Sequence, residues 1–182
     1  MINLLIPNKT DEAASKSYIA QSLISFLKDK DIDNISITDI VKKAGVSRMT
    51  FYRYFSSKID VFESYLDIVF KDYTNSLPPA VTEEYFISLD YILHGIKYFL
   101  KYKDYILTLD KAKLTPLILN KMTSFLNDKF CKNTESNIDT IYIAYYAGGI
   151  FNIYINWLKK EIIATEEELA EKIHNITNSF MY

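Results

Sequence analysis

An all-α fold is predicted by two features of the 182-residue chain. Only four glycines and four prolines are available for tight turns, and apolar residues recur at three- and four-residue spacing over helix-length runs. With 49% hydrophobic and 24% charged residues, the chain has apolar material for one sizeable core or two small ones. The single cysteine, Cys131, has no partner for an internal disulfide, and MINLLIPNKTDEAASK lacks the basic start and long apolar stretch of a signal peptide. A cytoplasmic setting is expected.

The elements follow in order. SKSYIAQSLISFLKDK (15–30) puts Ile19, Leu23, Phe26 and Leu27 on one face of a first helix, and the charged DKDIDN (29–34) interrupts it. Ser36, with Asp39 three residues on, forms a capping-box pattern that opens a short second helix carrying Ile37, Ile40, Val41 and Ala44. Gly45 supplies the left-handed residue on which helices end, and Ser47 is a fresh N-cap, so a third helix begins at once. Residues 36–55 therefore read as helix, glycine-containing turn, helix. Ser57 and Asp60 open a longer helix through VFESYLDIVFKDY, which stops before Leu77-Pro78-Pro79, and Pro78-Pro79 is the best domain boundary that the residues by themselves offer.

Beyond the prolines, 82–109 is expected to be helical with a break near Lys103, and 114–130 helical again, followed by the polar connection KNTESN. From Ile138 to Leu158 the only charge is Asp139, and the run is apolar nearly all round, which predicts a helix buried on more than one side. Thr165 and Glu168 make another capping box, opening a last helix with Leu169, Ile173 and Ile176 in one stripe. No period of 20 to 50 residues recurs.

Charge is unevenly placed. The chain as a whole has a formal net charge of -2, yet residues 1–60 carry nine Lys/Arg against seven Asp/Glu, and residues 61–182 carry twelve against sixteen. Positive potential thus gathers in the N-terminal third, where both arginines also stand, five residues apart in GVSRMTFYRYFSSK (45–58). On a helix starting after Ser47, Phe51 and Phe55 share the buried face with Val46, leaving Arg48, Thr50, Tyr52, Arg53 and Tyr54 over more exposed directions. Arginine can grip guanine bidentately or a phosphate; hydroxyls of Ser47, Thr50, Tyr52 and Tyr54 suit phosphate oxygens or base edges. Met49 can meet a thymine methyl, and Lys58 adds charge at the next helix start.

The stretch KSYIAQSLISFLKDKDIDNISITDIVKKAGVSRMTFYRYFSSKIDVF (16–62) closely resembles the N-terminal DNA-binding domain of the TetR/AcrR family of bacterial transcriptional regulators. The resemblance rests on Ala44-Gly45-Val46-Ser47, then Thr50-Phe51-Tyr52-Arg53-Tyr54-Phe55, then Ser57-Lys58; Met49 stands where the family often has glycine. It implies a three-helix helix-turn-helix domain (1–60) followed by a helical effector-binding and dimerisation domain (61–182). It further implies a homodimer on a palindromic operator, acting as a repressor released by a small molecule. Carried over by position, Ser36, Thr38, Ser47, Arg48, Met49, Thr50, Tyr52, Arg53, Tyr54 and Lys58 are the expected DNA contacts.

YYAGGIFNIYINWLKK followed by a TEEEL-type helix start is similar to the C-terminal half of a TetR subgroup of low-GC Gram-positive bacteria, which implies dimerisation through the last two helices. Gly148 and Gly149 inside a helix cost roughly 1 kcal/mol each relative to alanine, and close approach of another backbone explains them best. Tyr145, Gly148, Gly149, Asn152, Leu169 and Ile173 are the expected dimer contacts. Effector-lining candidates are Tyr91, Tyr98, Phe99, Tyr102, Phe125 and Trp157, giving an apolar pocket with a few hydroxyls.

Other classes find less support. Thr140–Leu158 is long enough to suggest a membrane span, but Thr140, Asn152, Asn156 and scattered tyrosines favour a buried dimer helix. His94 and His174 lack a second ligand at helical spacing, so neither metal nor other cofactor is expected, and Cys131 reads as an inert or weakly reactive thiol, with a redox sensor as the alternative. Without a glycine-rich phosphate loop or a nucleophile–base pair, an enzyme is not expected. The competing class is a helical interaction module that keeps the fold without binding an operator.

Overall fold

The computed structural model describes residues 11–79, 82–131 and 138–181; the connection at 132–137 lies outside them. Among the described residues there are ten α-helices and no strand. They are α1 (Asp11–Leu27), α2 (Ile37–Ala44), α3 (Arg48–Tyr54), α4 (Lys58–Ser76), α5 (Glu83–Phe86), α6 (Leu89–Leu100), α7 (Lys103–Lys111), α8 (Thr115–Leu126), α9 (Thr140–Leu158) and α10 (Glu166–Met181). A 3-10 turn spans Ile32–Asn34, and a π turn, Asn127–Cys131, prolongs α8.

Helix starts follow the capping residues. Ser36 Oγ accepts the Asp39 N–H at 3.0 Å, and Ser47 Oγ accepts the Thr50 N–H at 2.9 Å. Thr165 and Glu168 close a reciprocal box, the Thr165 N–H donating to Glu168 at 2.8 Å and the Glu168 N–H to Thr165 Oγ1 at 3.1 Å. Asp39 is one methylene shorter than glutamate, and its carboxylate accepts the Ser36 hydroxyl at 2.7 Å instead. The expected 82–109 helix is broken twice. Ser88 explains the extra break: its Oγ donates to Tyr85 O at 2.6 Å, ending α5, and accepts the Tyr91 N–H at 3.2 Å, opening α6.

Among the described residues, helix ends use the left-handed region three times. Gly45 (φ 69°) ends α2 as expected, with the Val46 N–H reaching back to Val41 O at 3.0 Å. Lys113 (φ 59°) and Lys160 (φ 64°) do the same after α7 and α9. In a chain so poor in glycine, lysine takes a conformation that disfavours a Cβ by about 1–2 kcal/mol.

The contacts form two compact units. Of the described residues, one comprises those up to Lys71 together with Asp104–Leu117, and the other those of Asp72–Lys103 and from Ile118 on. In the first, Ile19, Leu23, Ile24, Ile40, Phe51, Phe62, Tyr105 and Leu109 are buried, and the Tyr65 and Tyr105 rings meet edge to face at 4.8 Å. In the second, α6 lies against α10. His174 Nδ1 bonds Ile87 O at 2.8 Å, and Lys97 pairs with Glu167 at 2.7 Å.

Candidate nucleic-acid interface

Phe51 is fully buried and Phe55 nearly so, which fixes the rotation of α3. Arg48, Met49, Tyr52 and Arg53 are then exposed, with Met49 79% accessible. At 100° per residue these four positions span about 140° of one face, the i, i+1, i+4, i+5 pattern of a single outward strip. Thr50 and Tyr54 are half-buried at its margins. Ser36 and Thr38 are exposed at the start of α2.

Several of these side chains already have partners within the chain. Ser47 Oγ and Thr50 Oγ1 share a hydrogen bond at 2.9 Å in addition to the cap. Arg53 stacks on its neighbour, with its guanidinium carbon 4.7 Å from the Tyr54 ring centroid and Nη2 donating to the Tyr54 hydroxyl at 2.9 Å. Lys58, an expected DNA contact, turns inward. Its ammonium donates to Ile32 O and, at 2.9 Å, to Ile35 O, closing the turn before α2 onto the start of α4. Arg48 keeps an exposed side chain at the first turn of α3.

The effector candidates divide. Tyr98, Phe99 and Phe125 surround Tyr73, with ring centroids 5.0, 4.9 and 5.7 Å from it, and Tyr102 joins through Tyr98 at 5.7 Å. Tyr91 belongs to a neighbouring cluster with Phe86 and Phe130. Burial raises the pKa of Tyr73, Tyr91 and Tyr146 well above that of a free phenol, so all three are neutral hydrogen-bonding groups. Trp157 stands apart: its indole N–H donates to Ala164 O at 2.8 Å and its ring packs on Tyr154. Sequence reasoning missed Tyr73 as the centre; its i+4 spacing from Val69 on α4 was the available signal.

Helix α9 buries Ile143, Tyr146, Ala147, Tyr154, Ile155 and Leu158 but leaves Ile141 78% and Tyr145 57% exposed. Within one chain, then, it is buried on one side only. Gly149 and Asn152 continue the exposed strip, and a Cβ added at Gly148 or Gly149 would meet no atom within 4 Å. Leu169 and Ile173, expected at the dimer contact, are buried in the chain's own core, whereas Ile176 is 47% exposed beside a groove of about 190 Å³ between α9 and α10. No helix among the described residues is long and apolar enough to cross a membrane. Among the same residues no group of three His, Cys, Asp or Glu could hold a metal ion. His94 shares a hydrogen bond with Ser76 at 2.9 Å, and burial raises the pKa of the Cys131 thiol.

Residues 24–65 match the family described as bacterial regulatory proteins, tetR family, and residues 88–179 match the family described as transcriptional regulator C-terminal region. Two proteins of Bacillus subtilis (strain 168), both described as uncharacterized HTH-type transcriptional regulators, are similar. YvdT is 38% identical over 94 residues, 50% of this chain and 39% of that protein; YxbF is 22% identical over 176 residues, 91% of this chain and 45% of that protein. The matches thus span less than half the length of either relative. The crystal structure of Lin0861 from Listeria innocua shares the fold, with a TM-score of 0.73 over 98% of both chains at 16% identity.

Proposed function

The chain belongs to the tetR family of bacterial regulatory proteins, transcription regulators and not enzymes, and from that premise we propose that it binds a palindromic operator as a homodimer and represses until a small molecule releases it. The observation that carries the DNA reading is the outward strip of α3: two arginines, a tyrosine and a methionine on one face, with Phe51 buried directly behind. Arg48 reads base edges, since its guanidinium is exposed at the first turn of a helix suited to the major groove. Ser36, Thr38, Ser47 and Tyr52 contact the backbone that flanks it.

The second copy covers the apolar strip of α9, with Ile141, Tyr145, Gly148, Gly149 and Asn152 at the contact and Ile176 at its margin. The effector enters among the aromatic side chains around Tyr73. It lowers affinity for DNA only by favouring a dimer whose reading helices no longer match half-sites about 34–36 Å apart. Footprinting of the DNA beside the protein's own gene, with gel shifts at rising salt, tests the reading. A protected two-fold site and salt-dependent binding are expected; no binding to any duplex would leave a helical interaction module.

A further inference from the structure

The α1 side of α3 carries a feature that base reading does not use. The Tyr54 ring has a cation on it from each of two helices: the guanidinium of Arg53 at 4.7 Å and the ammonium of Lys16, from α1, at 5.2 Å. Lys16 is also paired with Glu12 one turn earlier, Nζ to Oε1 at 2.7 Å, both side chains open to water at 35% and 58% accessibility. An i,i+4 glutamate–lysine pair on a helix is common and weak. Here, however, its lysine is shared with the reading helix.

We propose that Lys16 and Arg53, meeting across the Tyr54 ring, form a site for one backbone phosphate of DNA, and that the Glu12 carboxylate holds this site in the unbound chain. This rests on the DNA reading above and deepens it. Three observations support it. The two cations belong to different helices, yet each lies within 5.2 Å of the centroid of one ring, which brings two positive charges to the same side chain. The hydrogen bond from Arg53 to the Tyr54 hydroxyl uses one of five guanidinium N–H donors and leaves others for an oxygen ligand. Glu12 already feels both: its carboxyl is held below the usual value first by the hydrogen bond and charge of Lys16 and, more weakly, by the charge of Arg53.

A phosphodiester carries the same single negative charge as the carboxylate and presents the same kind of acceptor oxygen. Binding is therefore an exchange of one anion for another, and Glu12 weakens the grip that Lys16 and Arg53 would otherwise have. Removing the carboxylate should tighten DNA binding, the opposite of what loss of a surface residue at an interface usually does.

The experiment is filter binding of the full chain to the duplex beside its own gene and to a mixed-sequence duplex, over a range of salt. Glu12→Gln is expected to bind both duplexes about two- to fivefold more tightly at low salt, with a salt slope steeper by about one ion. Lys16→Gln is expected to bind both more weakly, and Glu12→Gln in the Lys16→Gln background is expected to give no gain. Asp33→Asn makes the same change in net charge elsewhere in the unit, and thermal unfolding by circular dichroism confirms that each variant is folded. Equal binding by wild type and Glu12→Gln overturns the site and leaves the DNA reading intact. An equal gain from Asp33→Asn, or a Glu12→Gln gain that survives loss of Lys16, also overturns it, assigning the effect to net charge. Absence of any binding by the wild-type chain overturns the regulator reading and the site together.

Discussion

Helix α3 and helix α9 each present a strip of water-exposed residues, but the chemistry of the two strips is opposite. On α3 the exposed positions are Arg48, Met49, Tyr52 and Arg53, with the apolar Phe51 turned inward. On α9 the exposed positions are Thr140, Ile141, Ala144, Tyr145, Gly149 and Asn152, none of them charged. A polar strip beside buried aromatics is stable in water as it stands and gains from an anionic partner. An apolar strip is not: exposed isoleucine and tyrosine at consecutive turns favour a partner that removes them from water. The first surface should respond steeply to salt, the second hardly at all.

The comparison can be broken most severely at the residue that sets the rotation of α3. Phe51→Ala empties a fully buried ring position and should cost about 3–5 kcal/mol of stability, seen as a lower urea midpoint, with loss of DNA binding as a consequence. On α9, Tyr145→Asp places a charge in the apolar strip. It should weaken self-association by about 2 kcal/mol or more, measured by sedimentation equilibrium, while the unfolding midpoint of the monomer barely moves. Arg48→Ala should cost about 1–3 kcal/mol on the cognate site and relax sequence preference there; equal losses on every duplex would reassign it to a phosphate. Smallest is Lys160→Gly, beyond the end of α9 and outside either strip. Relief of its left-handed backbone should stabilise the chain by about 1 kcal/mol and leave both association equilibria unchanged.

The parts of the fold legible in the sequence are those written locally. Ser36, Gly45 and Ser47 each act on backbone groups within a few residues, so the turn between α2 and α3 could be read directly, as could the buried pair Phe51 and Phe55. What was not legible depends on spatial neighbours. Nothing in the spacing of α1 reveals that Lys16 reaches the Tyr54 ring, or that Lys58 closes onto Ile32 and Ile35. The stripe Leu169, Ile173, Ile176 was recognised as apolar, but periodicity does not say where a chain's own core stops: two of its members are covered by the same chain and the third is not. Lys113 and Lys160 were missed because left-handed helix ends are sought at glycine and asparagine.

Trp157 is the chain's one tryptophan, and it is held at the turn between α9 and α10 by the bond from its indole to Ala164. Light absorbed by tryptophan alone is therefore emitted from a single place, in the unit that does not contain the reading helix. An intensity or wavelength change on adding a duplex would report a change in the surroundings of this one side chain. The unmodified protein thus carries its own optical probe at the turn between α9 and α10.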